Sequence, residues 1–172
     1  TILISVGDGI RAEFRANRHN IVIEPAVEGA FLCESDLGIL KRDLFWRNQI
    51  ISFAPFLPVE VSVDGRGSAT LVGTWWSQGL REMASAWRIR GRWSDEGALM
   101  GERLASQWNI QPGDRITVRG REIPVVGLMA TGEEWDDQIL VDLKVAQEIG
   151  RLPGKIVRVL VNAVTTPDAK VV

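Results

Sequence analysis

The chain has 172 residues, of which 45% are hydrophobic and 24% are charged, a composition typical of a folded globular protein. Its 20 basic and 22 acidic residues give a net charge of −2. Nucleic-acid binding usually requires a basic excess, so we expect no nucleic-acid partner. One cysteine (Cys33) and one histidine (His19) are too few for a zinc site built from these ligands. No run of about 18 apolar residues is present, so the sequence predicts no membrane-spanning segment within the chain.

The first 18 residues predict an amphipathic helix. Apolar residues recur at every fourth position and would form one stripe: Ile2, Val6, Ile10 and Phe14. Nothing before Thr1 would cap this helix, so we expect it to continue from sequence upstream. Gly7 and Gly9 would weaken it by about 1 kcal/mol each relative to alanine.

Residues 20–75 predict strands around one further helix. The predicted elements are a strand at 20–24, a helix at 36–47, and strands at 50–54, 59–63 and 69–75. Pro25 would end the first strand, and Ser35 would cap the helix. Pro55 and Pro58 stand between two of the strands and predict that these are separate. A turn at Asp64 and Gly65 would join the last two strands as a hairpin.

The second half predicts shorter elements. They are a helix near 78–86, a loop through 91–93, a helix at 99–109, a hairpin of strands 116–119 and 122–129, a strand ending at 140–141, a helix at 143–150 and a strand at 156–161. Asp142 would cap the last helix, and Gly150 and Pro153 would end it. Because strands and helices do not alternate regularly, the expected fold class is α+β rather than a doubly wound sheet.

No group of residues in the sequence indicates a catalytic site. The glycine-rich signatures of phosphate and dinucleotide binding are absent. An acidic run at 133–137 is the best candidate for cation binding or acid–base chemistry, but it lacks the spacing of a calcium loop and is more typical of a solvated loop. His19 has no adjacent nucleophile or orienting acid, and Cys33 lies among acidic residues. We therefore predict no catalytic residue, no cofactor and no metal.

The aromatic residues point to binding rather than catalysis. Seven tryptophans and no tyrosine are unusual, and tryptophan favours half-buried and interface positions. Trp75 and Trp76 end a predicted strand whose alternation would bury one of them and expose the other. The candidate contacts with a partner or substrate are Phe45, Trp46, Trp75, Trp76 and Trp135. These residues leave open a freestanding module with a tryptophan-lined cleft for a peptide, a glycan or a lipid.

Several short runs resemble one known pattern in their order and spacing. The central runs are LMGERLA at 99–105, IQPGDRITVRG at 110–120 and IPVVGL at 123–128. The flanking runs are SVGDGIR at 5–11, NIVI at 20–23, DQILVDL at 137–143 and AQ at 146–147. Together they cover nearly the whole chain and resemble the extracytoplasmic core domain of MacB/FtsX-like ABC-transporter permeases.

The resemblance implies a discontinuous domain. A porter-like lobe would comprise 1–75 and 154–172, with its first helix continuing out of a membrane span. A small β-rich lobe, called Sabre in MacB, would be inserted at 76–153. Residues 26–58 match no general pattern of the family, so we expect them to carry what is specific to a subfamily.

The resemblance also implies a role without catalysis. The domain would be the periplasmic part of a bacterial cytoplasmic-membrane protein, and it would couple ATP-driven motion of the membrane part to a substrate or a periplasmic partner protein. ATP hydrolysis would occur on a separate cytoplasmic ATP-binding subunit, reached through the membrane helices. The full permease is expected to dimerise, and no cofactor is implied.

Overall fold

The computed structural model describes residues 2–5, 21–42 and 49–164. The strands in these ranges are β1 (Ile2–Ser5), β2 (Ile21–Pro25), β3 (Leu32–Cys33), β4 (Ile50–Val63), β5 (Gly67–Thr74), β6 (Arg88–Gly91), β7 (Ala98–Gly101), β8 (Arg115–Val118), β9 (Arg121–Ala130), β10 (Gln138–Asp142), β11 (Lys155–Ile156) and β12 (Arg158–Ala163). The α-helices are α1 (Gly38–Arg42), α2 (Arg81–Met83), α3 (Glu102–Trp108) and α4 (Leu143–Gly150). No helix in the described ranges is long and apolar enough to cross a membrane.

One twisted sheet organises the domain. Its strands lie in the order β1-β2-β12-β4-β5-β10-β7-β9-β6, with β8 paired to β9 and, at one position, to β4. The pairs β5–β10 and β7–β9 are parallel, and the other pairs are antiparallel. The short strands β3 and β11 form a separate ribbon. The mixture of an extended sheet with a few short helices confirms the α+β class.

Apolar side chains on the two faces of this sheet build two cores. Alternation along β10 sends Ile139 and Val141 into the larger core and Leu140 into the smaller one. Helices α3 and α4 cover the larger core, and residues 76–87 cover the smaller one. Gly73 lets α4 rest directly on β5, since a Cβ there would stand 2.4 Å from the Cβ of Ala146.

Strand β4 corrects the prediction of two separate strands at 50–54 and 59–63. It is one strand of 14 residues that contains both Pro55 and Pro58. Residues 50–56 pair with β12, and residues 56–63 pair with β5. Each proline therefore lies where β4 has a ladder on one side, so its missing N–H can face the unpaired side. The β4–β5 hairpin itself is confirmed.

Two segments that the sequence predicts as the first turns of helices are strands in the structure. Ile2–Ser5 pairs antiparallel with β2, so the helix predicted at 1–18 is wrong at these residues, and its remainder lies outside the described residues. A short apolar run fits a strand as well as a helix, which explains the error. The helix predicted at 99–109 begins only at Glu102, because Ala98–Gly101 forms β7. Strand β7 is buried on both faces and shows no alternation in its sequence.

Other helices have boundaries that differ from the predicted ones. The helix predicted at 36–47 is a 3₁₀ turn (Glu34–Leu37) followed by α1, and Ser35 lies inside the turn rather than capping it. Residues 43–48 of that prediction lie outside the described residues. The helix near 78–86 is a π-helical turn (Trp76–Leu80) followed by α2. The β8–β9 hairpin, the final strand and helix α4 with its Asp142 cap are confirmed.

The segment 76–153 belongs to the same sheet as the residues on either side of it. Strand β10 belongs to this segment and pairs in parallel with β5, from Gln138 opposite Thr70 to Asp142 opposite Thr74. Helix α4 of the same segment packs on β4 and β5. The division into a porter-like lobe (1–75 and 154–172) and a Sabre-like lobe (76–153) stays a prediction.

The Asp142 cap gives a prediction that depends on pH. Its Oδ1 accepts a hydrogen bond from the backbone N–H of Lys144 at 3.0 Å. Burial, with a smaller contribution from the charges of Asp95 and Glu34, raises the pKa of Asp142 above its ordinary value. A carboxyl whose folded-state pKa is raised favours folding below its unfolded pKa of about 3.9, and that contribution is lost as the pH rises through the folded value.

We therefore expect Asp142→Asn to gain stability relative to the parent as the pH rises above the unfolded pKa of about 3.9, because asparagine caps equally well and carries no charge. Asp142→Ala should lose about 1 kcal/mol of unfolding free energy, since it removes the cap. Urea unfolding of the three proteins between about pH 3 and pH 7 measures both effects. Equal destabilisation by the two substitutions at pH 7 would contradict this account, because it would mean that the charged carboxylate itself stabilises the fold.

Candidate functional site

An open groove of about 590 Å³ lies beside the β3–β11 ribbon. Three segments line it: the turn and helix at 33–41, the end of β5 at Trp75, and the loop at 153–155. The ribbon brings the first and third segments together, because Lys155 pairs with Cys33. A further backbone hydrogen bond of 2.9 Å runs from the N–H of Glu34 to the carbonyl of Gly154. The volume falls within the range of small-ligand pockets.

Trp75 supplies the aromatic wall of the groove. Its ring is half-buried and tilts against Phe53, with 6.1 Å between the ring centroids. The ammonium nitrogen of Lys41 lies 5.6 Å from the centroids of both rings. A cation at this distance from an aromatic face is attracted by the ring's quadrupole. Aromatic surface and positive charge are therefore adjacent in the groove.

A buried glutamine fixes the floor of the groove. The amide nitrogen of Gln147, on α4, donates to Glu34 Oε2 at 2.9 Å and to the carbonyl of Lys155 at 3.2 Å. These bonds tie two lining segments to the helix beneath them. The charged side chains that line the groove are Lys41, Lys155 and the Glu34 carboxylate, which keeps its charge because the glutamine amide is neutral, so the lining carries a net charge of +1.

The neighbouring tryptophans lie on the opposite side of the sheet. Trp76 is 8% exposed and stacks on Trp93, with centroids 5.2 Å apart and planes at 18°. Trp135 is half-buried between Phe56 and Trp87, with centroid distances of 5.4 and 5.3 Å. Trp76 and Trp135 therefore pack into the smaller core, and only Trp75 of the described candidates lines the groove.

Two candidate contacts cannot be placed in this geometry. Phe45 and Trp46 lie outside the described residues, and their proposed contact role stays a prediction. Sequence reasoning missed Lys41 and Lys155, which line the groove, and Gln147, which holds two of the lining segments in place. Gln147 and Glu34 are 113 positions apart, so no local pattern could have paired them.

The acidic run at 133–137 holds its own loop together. The Asp136 carboxylate accepts hydrogen bonds from the N–H and hydroxyl of Thr131, at 2.7 and 2.9 Å, and from the N–H of Gly132 at 3.0 Å. Asp137 pairs with Arg103 at 2.7 Å. Within the described residues, no group of three or more His, Cys, Asp or Glu side chains is placed to hold a metal ion. This geometry supports a structural loop rather than an acid–base pair.

The two aspartates of this loop should differ in their contribution to stability. Asp136→Asn replaces an oxygen that accepts from N–H groups by an amide that donates, so we expect a loss of about 1–3 kcal/mol of unfolding free energy. Asp137→Asn removes an exposed ion pair and should cost at most about 1 kcal/mol. Urea unfolding at neutral pH measures both. A larger loss for Asp137→Asn would contradict this account of the loop.

Comparison with known proteins finds solved structures that have a similar fold. No family model matches the sequence, and no curated protein matches it. The periplasmic region of MacB from Actinobacillus actinomycetemcomitans has a similar structure, with a TM-score of 0.67 and 14% identity over 98% of this chain and 76% of that one. The extracellular domain of YknZ, a noncanonic ABC-type transporter from Gram-positive bacteria, gives a TM-score of 0.62 and 14% identity over 83% and 79%.

These two structures confirm, at the level of the fold, the resemblance that the sequence motifs indicated. Identity of 14% in each case establishes the shared architecture and nothing finer. The chain therefore has the fold of the extracytoplasmic domains of MacB and YknZ.

Proposed function

We propose that this chain is a non-catalytic extracytoplasmic domain of an ABC-transporter permease, located on the periplasmic side of a bacterial cytoplasmic membrane. The observation that carries the proposal is the structural similarity over 98% of the chain to the periplasmic region of MacB. The extracellular domain of YknZ supports it independently. In this role the domain couples ATP-driven motion of the membrane part to a substrate or to an extracytoplasmic partner protein.

The continuous sheet suits a part that transmits motion. Main-chain hydrogen bonds connect neighbouring strands across the whole large sheet, from β1 at one edge to β6 at the other. Displacement of one edge is therefore resisted by the hydrogen bonds of the entire sheet. The proposed lobes are joined by the β5–β10 ladder and by the contact of Val63 with Val118 between β4 and β8. Both hydrophobic cores also contain side chains from the two proposed lobes, and α4 packs on β4 and β5. Motion applied to one lobe would therefore be passed to the other through packed contacts. The division at 76–153 stays part of the proposal as a division of the chain.

The energy source lies elsewhere in this proposal. ATP would be hydrolysed by a cytoplasmic ATP-binding subunit that contacts the membrane helices of the permease, and two permease copies would assemble in the full protein. Two acidic groups have structural contacts that fit this role: the Glu34 carboxylate accepts from Gln147, and the Asp136 carboxylate accepts from the backbone N–H groups of Thr131 and Gly132. These contacts assign structural roles to the acidic groups near the groove and in the acidic loop.

The groove at Trp75 is the proposed contact with the substrate or partner. It combines an aromatic wall with the cations Lys41 and Lys155 and one carboxylate, Glu34, which leaves one positive charge in excess. An extended acidic segment with an apolar side chain would complement both features, the side chain on Trp75 and the carboxylates beside the lysines. Trp76 and Trp135 would act through packing rather than by direct contact.

A freestanding binding module is less well supported. That alternative predicts a cleft lined by several tryptophans, whereas Trp75 alone among the described tryptophans lines the groove. Trp76 and Trp87 are each 8% exposed, which leaves them little surface for a ligand. The tryptophan content is explained instead by the smaller core, where four of these rings contact one another: Trp76, Trp87, Trp93 and Trp135.

The proposed location is tested by labelling Cys33 in the full-length protein. Cys33 is the one cysteine of this chain, and it is exposed at the groove. Any cysteine elsewhere in the full-length protein is first replaced by serine. A membrane-impermeant maleimide added to spheroplasts should label Cys33 as completely before lysis as after it.

Two controls make the result decisive. Cys33→Ser should abolish labelling, and a cysteine introduced on the surface of the ATP-binding subunit should react only after lysis. Labelling of Cys33 only after lysis would place the domain in the cytoplasm and overturn the proposal.

A further inference from the structure

A second pocket, away from the groove, carries an excess of positive charge. It has a volume of about 190 Å³ and lies between the β8–β9 turn and the carboxyl end of α4. Its lining residues are Val118, Arg119, Arg121, Glu148, Ile149 and Arg151. Bulk water occupies about 30 Å³ per molecule, so the pocket has room for a tetrahedral oxyanion with some of its hydration shell.

The three arginines of this pocket are only partly neutralised. Arg121 pairs with Glu148 at 2.5 Å, and Arg119 donates to the carbonyl of Ile149 at 2.5 Å. The backbone N–H of Arg151 donates to the carbonyl of Glu148 at 3.2 Å, but its guanidinium group has no hydrogen-bond or ion-pair partner in the part of the chain that the structure describes. One carboxylate against three guanidinium groups leaves two positive charges in excess. The negative end of the α4 dipole offsets only about half a charge.

Two of these arginines have backbone conformations that arginine rarely adopts. Arg119 and Arg151 have φ angles of +50° and +55°, in the left-handed region. Arg119 occupies a hairpin turn and Arg151 the C-cap of α4, positions that favour glycine or asparagine. The remaining non-glycine residue with positive φ in the described chain is Asn109, which follows that preference.

Arginine at such a position costs about 1–2 kcal/mol relative to glycine. The bond from Arg119 to Ile149 explains one of the two residues. Attraction to the helix dipole is the simple explanation for Arg151, but it is worth at most about 1 kcal/mol at an exposed site. Two arginines in strained positions that converge on one pocket therefore indicate a requirement for the charge itself.

We propose that this pocket binds a phosphoryl oxyanion. The planar guanidinium group matches the oxygens of a phosphate with two parallel N–H donors, which lysine or a single N–H cannot do. A phosphate monoester dianion would neutralise the excess charge of the pocket, whereas one carboxylate would leave half of it. The source of the group is free phosphate or the headgroup of an anionic phospholipid, and both present the same oxygens.

The proposal is tested first with inorganic phosphate on the 172-residue chain. Urea unfolding is measured at increasing phosphate concentration, with sodium chloride keeping the ionic strength constant. A specific site should multiply the folding equilibrium constant by 1 + c/Kd, where c is the phosphate concentration, which is about tenfold at a phosphate concentration ten times the Kd. The stabilisation free energy then rises with the logarithm of the phosphate concentration, whereas a general salting effect raises it in proportion to the concentration.

Three variants separate a binding site from a structural role. Arg151→Gly should lose the phosphate response while its folding equilibrium without phosphate stays equal to the parent's or rises, because glycine suits the positive φ. Arg119→Asn should also lose the response. Arg115→Gln removes a positive charge from the same hairpin but not from the pocket, and it should keep the response. An unchanged phosphate response in Arg151→Gly would overturn the proposal.

A vesicle experiment identifies the source of the phosphoryl group. The chain is sedimented with vesicles of phosphatidylcholine with and without phosphatidic acid. Binding that needs phosphatidic acid and is lost in Arg151→Gly supports the site and assigns it to a lipid headgroup. Stabilisation by free phosphate that follows 1 + c/Kd and is lost in Arg151→Gly, without vesicle binding, supports the site and assigns it to a soluble ligand. The absence of both responses overturns it.

Discussion

Strand β4 is the constraint on which the other features of this domain depend. Its 14 residues pair with β12 over the first half and with β5 over the second, and the two ladders overlap at Phe56. Without this change of partner, β1, β2 and β12 would not belong to the same sheet as β10, β7, β9 and β6. Pro55 and Pro58 flank the change and block a second ladder beside each of them.

The same strand positions the aromatic residues on both faces. Phe53 and Phe56 are three positions apart and therefore point to opposite sides of the sheet. Phe53 contacts Trp75 at the groove, and Phe56 contacts Trp135 in the smaller core. The groove thus rests on the central strand of the fold, while its other walls come from the β3–β11 ribbon, and Gln147 fixes them to α4. Such a site is held rigidly and would move with the sheet.

Sequence reasoning located the elements whose signals are local. The Asp142 cap, the β4–β5 and β8–β9 hairpins and the overall fold class follow from residues close together in the chain. It failed where tertiary pairing decides, as in Ile2–Ser5 and Ala98–Gly101, whose short apolar runs fit a helix or a strand equally well. The groove was only partly predictable: alternation predicted that one of Trp75 and Trp76 would be exposed without deciding which, and Lys41 and Lys155 reach the groove through contacts that no local pattern encodes.

The central claim is that this domain moves when ATP is hydrolysed elsewhere. Its most direct test is the rate of Cys33 alkylation in the full-length permease assembled with its ATP-binding subunit in membranes. The account predicts that the rate differs between the nucleotide-free state and the state trapped with ATP and vanadate, because Cys33 lies on the groove proposed to contact the substrate or partner, and movement of the domain would change that contact. A hydrolysis-deficient ATP-binding subunit should abolish the change caused by vanadate trapping. Equal rates in all states of the active complex would contradict the account.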